Sequence, residues 1–288
     1  MHTIISSDST CDLSAELTKK YGIHVLPLTV ILGERSGRDG REITPEDIYR
    51  HVEETGELPG TSAPSIWEYQ KYFDMLQEEG GKDGERAGIV HFCIGSHFSG
   101  SYQNACIVAG DMEGVHPVDT RNLSTGQGLI VLHAAEMAQQ GASAEEIVRS
   151  CTEMIPRIET SFIANELTYL RKGGRCSAIA AFGADLLHIR PCINLHDGIM
   201  EPGKKYRGTI SKVMRAYAHD RLAGRTDIDM HRIMLVHTRC DQETIEEVRK
   251  MIYEFCPEVE EVPVVTAGAT ITVHCGPQTL GVMFARKA

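Results

Sequence analysis

The sequence predicts an α/β protein of two lobes. The N-terminal lobe is expected to be three α/β/α layers on a parallel sheet, and the C-terminal lobe an α+β unit with a mixed sheet. Three observations support this. The chain has 288 residues, which is long for one compact domain and sufficient for two. Strand and helix patterns alternate in the first half, as in a parallel sheet covered by helices. The second half contains a hairpin signal, Asp197-Gly198 between apolar runs.

The predicted strands of the first lobe are short apolar runs between helical patterns. Two of them, over 2–6 and 87–94, end next to hydroxyl-rich loops, at the edge of a parallel sheet where ligands bind. We place the lobe boundary near residue 160, which gives an α/β lobe over 1–160 and an α+β lobe over 161–288. The strands are predicted over 2–6, 23–32, 87–94 and 114–119.

Helix starts in the first lobe carry recognisable capping signals. Thr44 is followed by Pro45 at the first helical position, and Ser65 with Glu68 forms a capping box. The segment "SAEEIVRSCTEMI" opens with a second box of the same kind. Further helices are predicted in "LSAELTKKYG" and over 99–110 and 124–141.

The second lobe mixes strands and helices. After "SFIAN" come the basic segment "LTYLRKGGRCS", an apolar helix over 178–187 and the predicted hairpin. A strand "RIMLVHTR", a helix over 242–255 and the run "VEEVPVV" follow. The closing "TITVHCGPQTLGVMF" is interpreted as apolar strand, with His274 at the end of its first half.

Composition and charge exclude several classes of function. The net charge is −11, so phosphate backbones and anionic membrane surfaces repel this chain. There are nine cysteines, an odd number, and none forms a C-x-x-C pair, which indicates a reducing compartment without structural zinc. The sequence shows neither a signal-peptide pattern nor an apolar run of about 18 residues. We therefore expect a cytoplasmic protein with no membrane span, and the histidine spacing predicts no metal.

Three serines lie where a strand gives way to a helix. Ser96, Ser99 and Ser101 surround Gly95 and Gly100 in "GSHFSGS". An anion can bind at such a point, because the free N–H groups and the dipole of the helix point at it and the hydroxyls add donors. The alternative is that Ser99 is only a helix cap.

Two other hydroxyl clusters are expected at the same edge of the sheet. Thr61 and Ser62 lie in "GTSAPS", and residues 6–10 read "SSDST". Each could be an ordinary capped loop, but their convergence favours a shared anion site. His274 is either a structural histidine or a donor that closes this site from the second lobe.

The one segment that approaches a nucleotide-binding loop does not meet the requirements of that motif. The segment "DGIMEPGKK" approaches a phosphate loop, but Lys205 replaces the required hydroxyl and Pro202 removes an N–H. ATP use by this chain alone is therefore not expected. The basic residues Arg175 and Arg207 lie in segments that are either solvated surface or contacts for a phosphate or an acidic partner.

Taken together, these motifs resemble the DegV family. The resemblance rests on the ordered series "SDSTCDLS", "TSAPS", "SHFSGSYQNA", "LTYLRKGGRCSA", "IRPCINLHDGIMEPGKKYRG" and "VHCGPQTLGVMF". It implies two α/β lobes with a long-chain fatty acid, such as palmitate, between them and no other cofactor. The fatty acid carboxylate would be held by Ser62 and Ser99, with Thr61, Ser96 and His274 as further contacts.

The resemblance also implies a partner. Members of the family are similar to the binding subunit of bacterial fatty acid kinase, so Arg175 and Arg207 would face a separate kinase or its phosphate. One departure concerns His274, because the family commonly has H-T-G-P-G where this chain has "HCGPQ". The altered turn can shift the histidine.

Two other functions remain open. The chain could be a serine-dependent acyl ester hydrolase using Ser99, His274 and Asp8, although the G-x-S-x-G elbow is missing. It could also be a regulatory sensor of acyl chains. We favour a lipid-binding protein without chemistry of its own. In that case hydroxyls, amides and a histidine would hold the carboxylate without a fixed positive charge beside it.

Overall fold

The structure is a computed structural model that describes residues 3–81, 87–175 and 189–288. Three sheets organise it. A parallel sheet has the order β2-β1-β6-β7, a seven-stranded mixed sheet has the order β11-β10-β9-β14-β12-β13 with β8 beside β14, and a small antiparallel sheet has the order β4-β3-β5. The strands are β1 Thr3–Asp8, β2 His24–Leu26, β3 Thr29–Leu32, β4 Arg35–Arg38, β5 Gly60–Ser62, β6 Gly88–Cys93, β7 Val115–Asp119, β8 Ile158–Glu159, β9 Ser161–Ile163, β10 Ile189–His196, β11 Ile199–Arg207, β12 Ile228–Thr238, β13 Val264–Thr266 and β14 Thr279–Arg286.

Helices cover both faces of the parallel sheet, as the sequence predicts. One face packs its apolar side chains, including Val90 and Phe92, against one group of helices, and the other face packs Ile4 and Ile89 against a second group. The helices are α1 Ala15–Tyr21, α2 Pro45–Thr55, α3 Ile66–Gly80, α4 Ser101–Ala109, α5 Ser124–Gln139, α6 Ala144–Met154, α7 Leu167–Gly173, α8 Ile210–Leu222, α9 Gln242–Phe255 and α10 Ala269–Cys275.

The predicted capping signals are confirmed. Ser65 and Glu68 form a capping box at the start of α3, and Ser143 with Glu146 forms another at α6. Thr44 caps α2 with Pro45 at its first position. These caps satisfy N–H groups that have no partner inside the helix.

One predicted strand is wrong. The run over 23–32 is not continuous, because β2 joins the parallel sheet while β3 belongs to the small antiparallel sheet. Pro27 lies between them and has no N–H for a strand ladder. The N–H of Leu28 donates instead to the hydroxyl of Ser9. The break turns β3 away and lets β5, which carries Thr61, pair with it.

The mixed sheet has two different neighbours. Helices α8 and α9 cover one face, with Tyr217 and Val248 fully buried there. The other face packs against α5 of the first half, through side chains such as Met283 and Leu129. The predicted hairpin is confirmed between β10 and β11, where Asp197 and Gly198 both have positive φ, as a type I′ turn requires.

The segment before Gly276 also differs from the prediction. It forms the helix α10, although "ATITVHC" is rich in β-branched residues. Helix α10 packs on α2, β3 and β5 of the first half, so a piece of the C-terminal half closes over the N-terminal half. The predicted helix over 178–187 lies outside the described residues. Among those residues, no helix is both long enough and apolar enough to cross a membrane.

Candidate functional site

Two buried carboxylates hold the start of α10. Asp12 accepts a hydrogen bond from the N–H of Gly268 at 2.8 Å, and Asp39 accepts one from the N–H of Ala269 at 2.8 Å. Both carboxylates come from the first half of the chain and both are almost fully buried. Carboxyl oxygens at a helix N-terminus accept hydrogen bonds from N–H groups that have no partner inside the helix. The helix is thereby fixed against the first lobe.

Helix α10 carries His274 to the hydroxyl of Thr61. The His274 Nε2 lies 2.9 Å from Thr61 Oγ1, and the ring is largely buried. Burial, together with a smaller contribution from the charge of Arg175, lowers the pKa of His274 to about 4. The imidazole is therefore neutral at physiological pH. Its Nδ1 is buried and has no hydrogen-bond partner within the described residues.

Ser99 lies in the loop that leads into α4, two residues before the helix begins. Its hydroxyl is 3.0 Å from the hydroxyl of Ser101 and accepts a bond from the Ser101 N–H at 3.2 Å. The helix cap position itself is Gly100, without a side-chain cap. Ser99 therefore combines a local contact with a place beside the helix N-terminus, where an anion is stabilised.

One cavity brings these residues together. Thr61, Ser99 and His274 all line it, although they come from β5, the loop before α4, and α10. Arg175 lines it too, so a positive charge lies nearer the hydroxyls than the sequence analysis expects. The remaining lining side chains are mostly apolar.

Thr270 is a lining residue that the sequence analysis missed. Its Oγ1 is buried and has no partner in the described part of the chain. It lies four residues before His274 on α10, so the two side chains share a face of that helix. The sequence analysis missed Thr270 because it interpreted this segment as a strand and not as a helix, in which residues four apart share a face.

A second, mostly apolar cavity adjoins this one between the lobes. It shares Leu123, Ile271 and Cys275 with the first and extends to Phe162 and Met283 of the mixed sheet. The first has a volume of about 50 Å³ and the second about 20 Å³. Polar groups therefore cluster at one end of a narrow apolar passage.

Ser62 and Ser96 lie outside this cavity lining. Ser62 is exposed, because neighbouring residues of β5 point to opposite faces and Thr61 takes the inner one. Its hydroxyl donates to the carbonyl of Ala63 at 3.3 Å. Ser96 is also exposed and donates to the Asp119 carboxylate at 2.6 Å.

The two arginines assigned to a partner occupy different positions. Arg175 follows α7, donates to the carbonyl of Gly173 at 2.7 Å and to that of Phe98 at 3.4 Å, and lies at the rim of the cavity. Arg207 is exposed at the end of β11, paired across the hairpin ladder with Ile189. The hydroxyl site and the basic segment are thus adjacent through Arg175.

The described residues do not form the relay that the hydrolase alternative needs. Asp8 accepts from the hydroxyl of Tyr69 at 2.9 Å and lies 3.3 Å from His91 Nε2, while His274 contacts Thr61. Ser99 is engaged with Ser101. The three groups therefore have separate partners.

The buried network around Asp8 is a core feature. His91 Nδ1 lies 2.9 Å from the Ser6 hydroxyl, and both residues are fully buried. Asp8, His91 and Cys93 place their ligand atoms within 4.8 Å of one another, as in a metal centre. Burial raises the pKa of the Cys93 thiol well above its ordinary value, which opposes the thiolate that a metal requires.

Comparisons with known proteins agree over the whole chain. The model of a family described as uncharacterised proteins of the DegV family matches residues 2–287. A DegV domain-containing protein of Caldanaerobacter subterraneus is 32% identical over 286 residues, which is 98% of each chain.

Solved structures show the same similarity. One from Thermus thermophilus, titled as fatty acid binding of a DegV family protein, is 30% identical over 100% of both chains with a TM-score of 0.86. A lipid-binding DegV protein from Thermotoga maritima is 29% identical over 99% of both chains with a TM-score of 0.85.

Proposed function

This chain belongs to the DegV family, and we propose that it binds a long-chain fatty acid between its lobes. The carboxylate is held by Thr61, Ser99 and His274, with Thr270 as a further donor. Ser62 and Ser96 stay in the proposal through the family resemblance alone, because both side chains lie outside the cavity lining. The protein itself supplies no chemical step in this proposal.

One observation carries the proposal. Hydroxyl and imidazole groups from three separate segments meet at one end of a cavity that is otherwise mostly apolar and adjoins a second apolar cavity between the lobes. A carboxylate buried in an apolar site needs hydrogen-bond donors. The neutral His274 can donate one N–H, while the hydroxyls donate others, and the nearby guanidinium of Arg175 favours the ionised carboxylate.

The apolar passage accounts for the tail. Each buried methylene contributes ~0.8 kcal/mol, so about fifteen of them contribute on the order of 10 kcal/mol before ordering costs. The two cavities are too narrow for such a chain, so its entry must separate their walls. Met200 and Met283 line those walls, and methionine side chains rearrange readily because they are unbranched.

We further propose that the bound fatty acid is presented to a separate kinase for acyl-phosphate formation. Arg175 and Arg207 are the proposed kinase contacts. Arg175 lies at the rim of the cavity, so a kinase bound there would have the carboxylate within reach. Guanidinium groups suit this role because they bind phosphate and carboxylate oxygens in pairs.

Two measurements test the binding proposal. Organic extraction of the purified protein followed by mass spectrometry identifies any lipid that co-purifies. Calorimetry of the delipidated protein with a series of saturated and unsaturated fatty acids then measures affinity against chain length. If no long-chain fatty acid binds saturably, the proposal is wrong.

A further inference from the structure

A larger cavity lies between the lobes, apart from the hydroxyl site. Its volume is about 430 Å³, within the usual range for small-molecule sites. Arg121 and Asn122, which follow β7, form one wall, and residues 194–198 of the hairpin form another. Glu159, Arg221 and Arg286 are among its other lining residues. None of these residues contributes to the proposed fatty acid site.

The charge of this cavity is opposite to that of the whole chain. Three guanidinium groups line it, those of Arg121, Arg221 and Arg286. Only two carboxylates do so, those of Glu159 and Asp197. The chain as a whole has a net charge of −11. A local excess of guanidinium groups in an acidic protein is a specific feature rather than a consequence of composition.

One carboxylate serves three guanidinium groups. Glu159 lies 2.9 Å from Arg221, 2.9 Å from Arg225 and 3.6 Å from Arg286. Arg225 has a second partner in Asp227, at 2.6 Å. Burial raises the pKa of Glu159, but its arginine partners outweigh this and hold the pKa below its ordinary value. Arg221 and Arg286 therefore share one ionised carboxylate and leave positive charge at the wall.

Arg221 also has unused donors. Its Nε and Nη2 are buried and have no hydrogen-bond partner among the described residues, while Nη1 contacts Glu159. Its guanidinium group lies over the ring of Phe284, 4.8 Å from the centroid. These two N–H groups have almost no accessible surface, so Arg221 contributes to the cavity through its positive charge rather than through these donors.

The ion pairs of Glu159, which we call the clamp, have a structural role, but that role does not account for every arginine of the cavity. The contact of Glu159 with Arg221 holds α8 against β8, and its contact with Arg225 holds the loop after α8 there. Arg121 comes from the other lobe, and the Cβ of Arg121 approaches the hairpin at Gly198. Arg121 is exposed and takes no part in the clamp. Its presence indicates an anion that both lobes would contact.

We infer that this cavity binds a small molecule that carries a phosphate group, as a monoester or an anhydride. A phosphate has several oxygens and can accept from Arg121 on one lobe and from Arg221 and Arg286 on the other. A single carboxylate has fewer acceptor sites for three guanidinium groups. The inference is independent of fatty acid binding, because it uses other residues.

Pyrophosphate, titrated by calorimetry into the full-length protein, is the probe. We expect saturable binding that weakens as salt is added, because the contacts are ionic. Citrate and inorganic phosphate are titrated in parallel. Tighter binding of citrate than of pyrophosphate overturns the assignment to phosphate, and the absence of saturable pyrophosphate binding in the millimolar range overturns the site.

Variants locate the binding. Arg121→Gln and Arg286→Gln should each weaken pyrophosphate binding by roughly tenfold or more, since each removes a charge-assisted contact. Asp197→Asn should strengthen it a few-fold, because it removes a negative charge from the wall and asparagine tolerates the positive φ of that turn. Arg215→Gln on α8 is the matched control and should change nothing, since Arg215 pairs with Glu247 away from the cavity. Unchanged binding in the double variant Arg121→Gln/Arg286→Gln, or a loss that follows Arg207→Gln instead, would overturn the proposal.

Discussion

The imidazole Nε2 of His274 lies 2.9 Å from the hydroxyl of Thr61, although 213 residues separate them in the chain. The contact exists because α10, a piece of the C-terminal half, packs on β3 and β5 of the N-terminal half. Asp12 and Asp39 fix the start of that helix. The candidate site is thus assembled across the lobes, and its parts can be tested separately.

Thr61→Val tests the hydroxyl that faces His274. Valine keeps the shape of threonine but removes the donor, so fatty acid affinity should fall by roughly ten- to a hundredfold, as for loss of one hydrogen bond to a charged group. Calorimetry of the delipidated variant measures the effect. Thr152→Val on the exposed face of α6 is the matched control. An unchanged dissociation constant for Thr61→Val would remove this hydroxyl from the ligand site.

Ser99→Ala tests the hydroxyl at the start of α4. We expect a loss of affinity of roughly ten- to a hundredfold, with a smaller change in stability because Gly100 is the helix cap. Ser96→Ala and Ser62→Ala should have smaller effects, since both side chains lie outside the cavity lining. Losses as large in Ser62→Ala as in Ser99→Ala would show that β5 presents its exposed face to the carboxylate.

Local signals explain why so much of the fold was predictable. Capping boxes, the Asp197-Gly198 turn and the alternation of strands and helices are properties of neighbouring residues, and each was found where expected. The family resemblance added the proposal of a fatty acid site, which spacing alone could not supply. The predictions that were wrong concern segments whose structure depends on contacts with residues far away in the sequence. Helix α10 looked like a strand because its β-branched residues favour strands, but its N-terminus is capped by two carboxylates more than 200 residues away in the sequence.

The same reasoning explains the error at 23–32 and the missed Thr270. Residues flanking Pro27 are apolar on both sides, so the pattern alone did not show that they enter different sheets. Thr270 could have been found only by placing it on the helix face of His274. Arg175 was predicted as a partner contact, and its position in the cavity lining depends on how α7 packs against α10.

The variant Asp12→Asn tests whether Asp12 is protonated where it holds the start of α10, through the pH dependence of the free energy of unfolding. The pKa of Asp12 is raised to about 8, mainly by burial and in part by the charge of Asp39, although hydrogen bonds from Ser124 and Gly268 oppose the shift. The ordinary value is 3.8, so between these values the folded protein keeps a proton that the unfolded chain has released. The contribution of Asp12 to the free energy of unfolding therefore falls as pH rises from about 4 to about 8.

Asparagine resembles the protonated aspartic acid and does not titrate. The free energy of unfolding of Asp12→Asn relative to the unmodified protein should therefore rise with pH across that window, as measured by urea denaturation at several pH values. His274 titrates in the opposite sense, because its lowered pKa makes stability fall as pH drops from about 6.5 towards 4. That change is common to both proteins and cancels in the difference. A difference that is constant with pH would mean that Asp12 is ionised in the folded state.

Variants of Arg175 and Arg207 test fatty acid binding separately from presentation of the fatty acid to a kinase. Arg207 is exposed and remote in sequence from the hydroxyl loops, so Arg207→Ala should retain fatty acid affinity and lose acyl-phosphate formation when a bacterial fatty acid kinase and ATP are supplied. Arg175→Ala should also lose acyl-phosphate formation. It should weaken lipid binding as well, because Arg175 lines the cavity beside His274.

Lysine at either position should rescue acyl-phosphate formation poorly, because a point charge does not reproduce the paired donors of a guanidinium. The rate is measured per bound fatty acid, so that loss of lipid is not mistaken for loss of coupling. Arg215→Ala, on the surface of α8, controls for the loss of a charge. Normal rates per bound lipid in both Arg175→Ala and Arg207→Ala would exclude these arginines from the kinase interface. Weakened lipid binding in Arg175→Ala together with a normal rate per bound lipid would make that guanidinium a partner of the carboxylate and not a kinase contact.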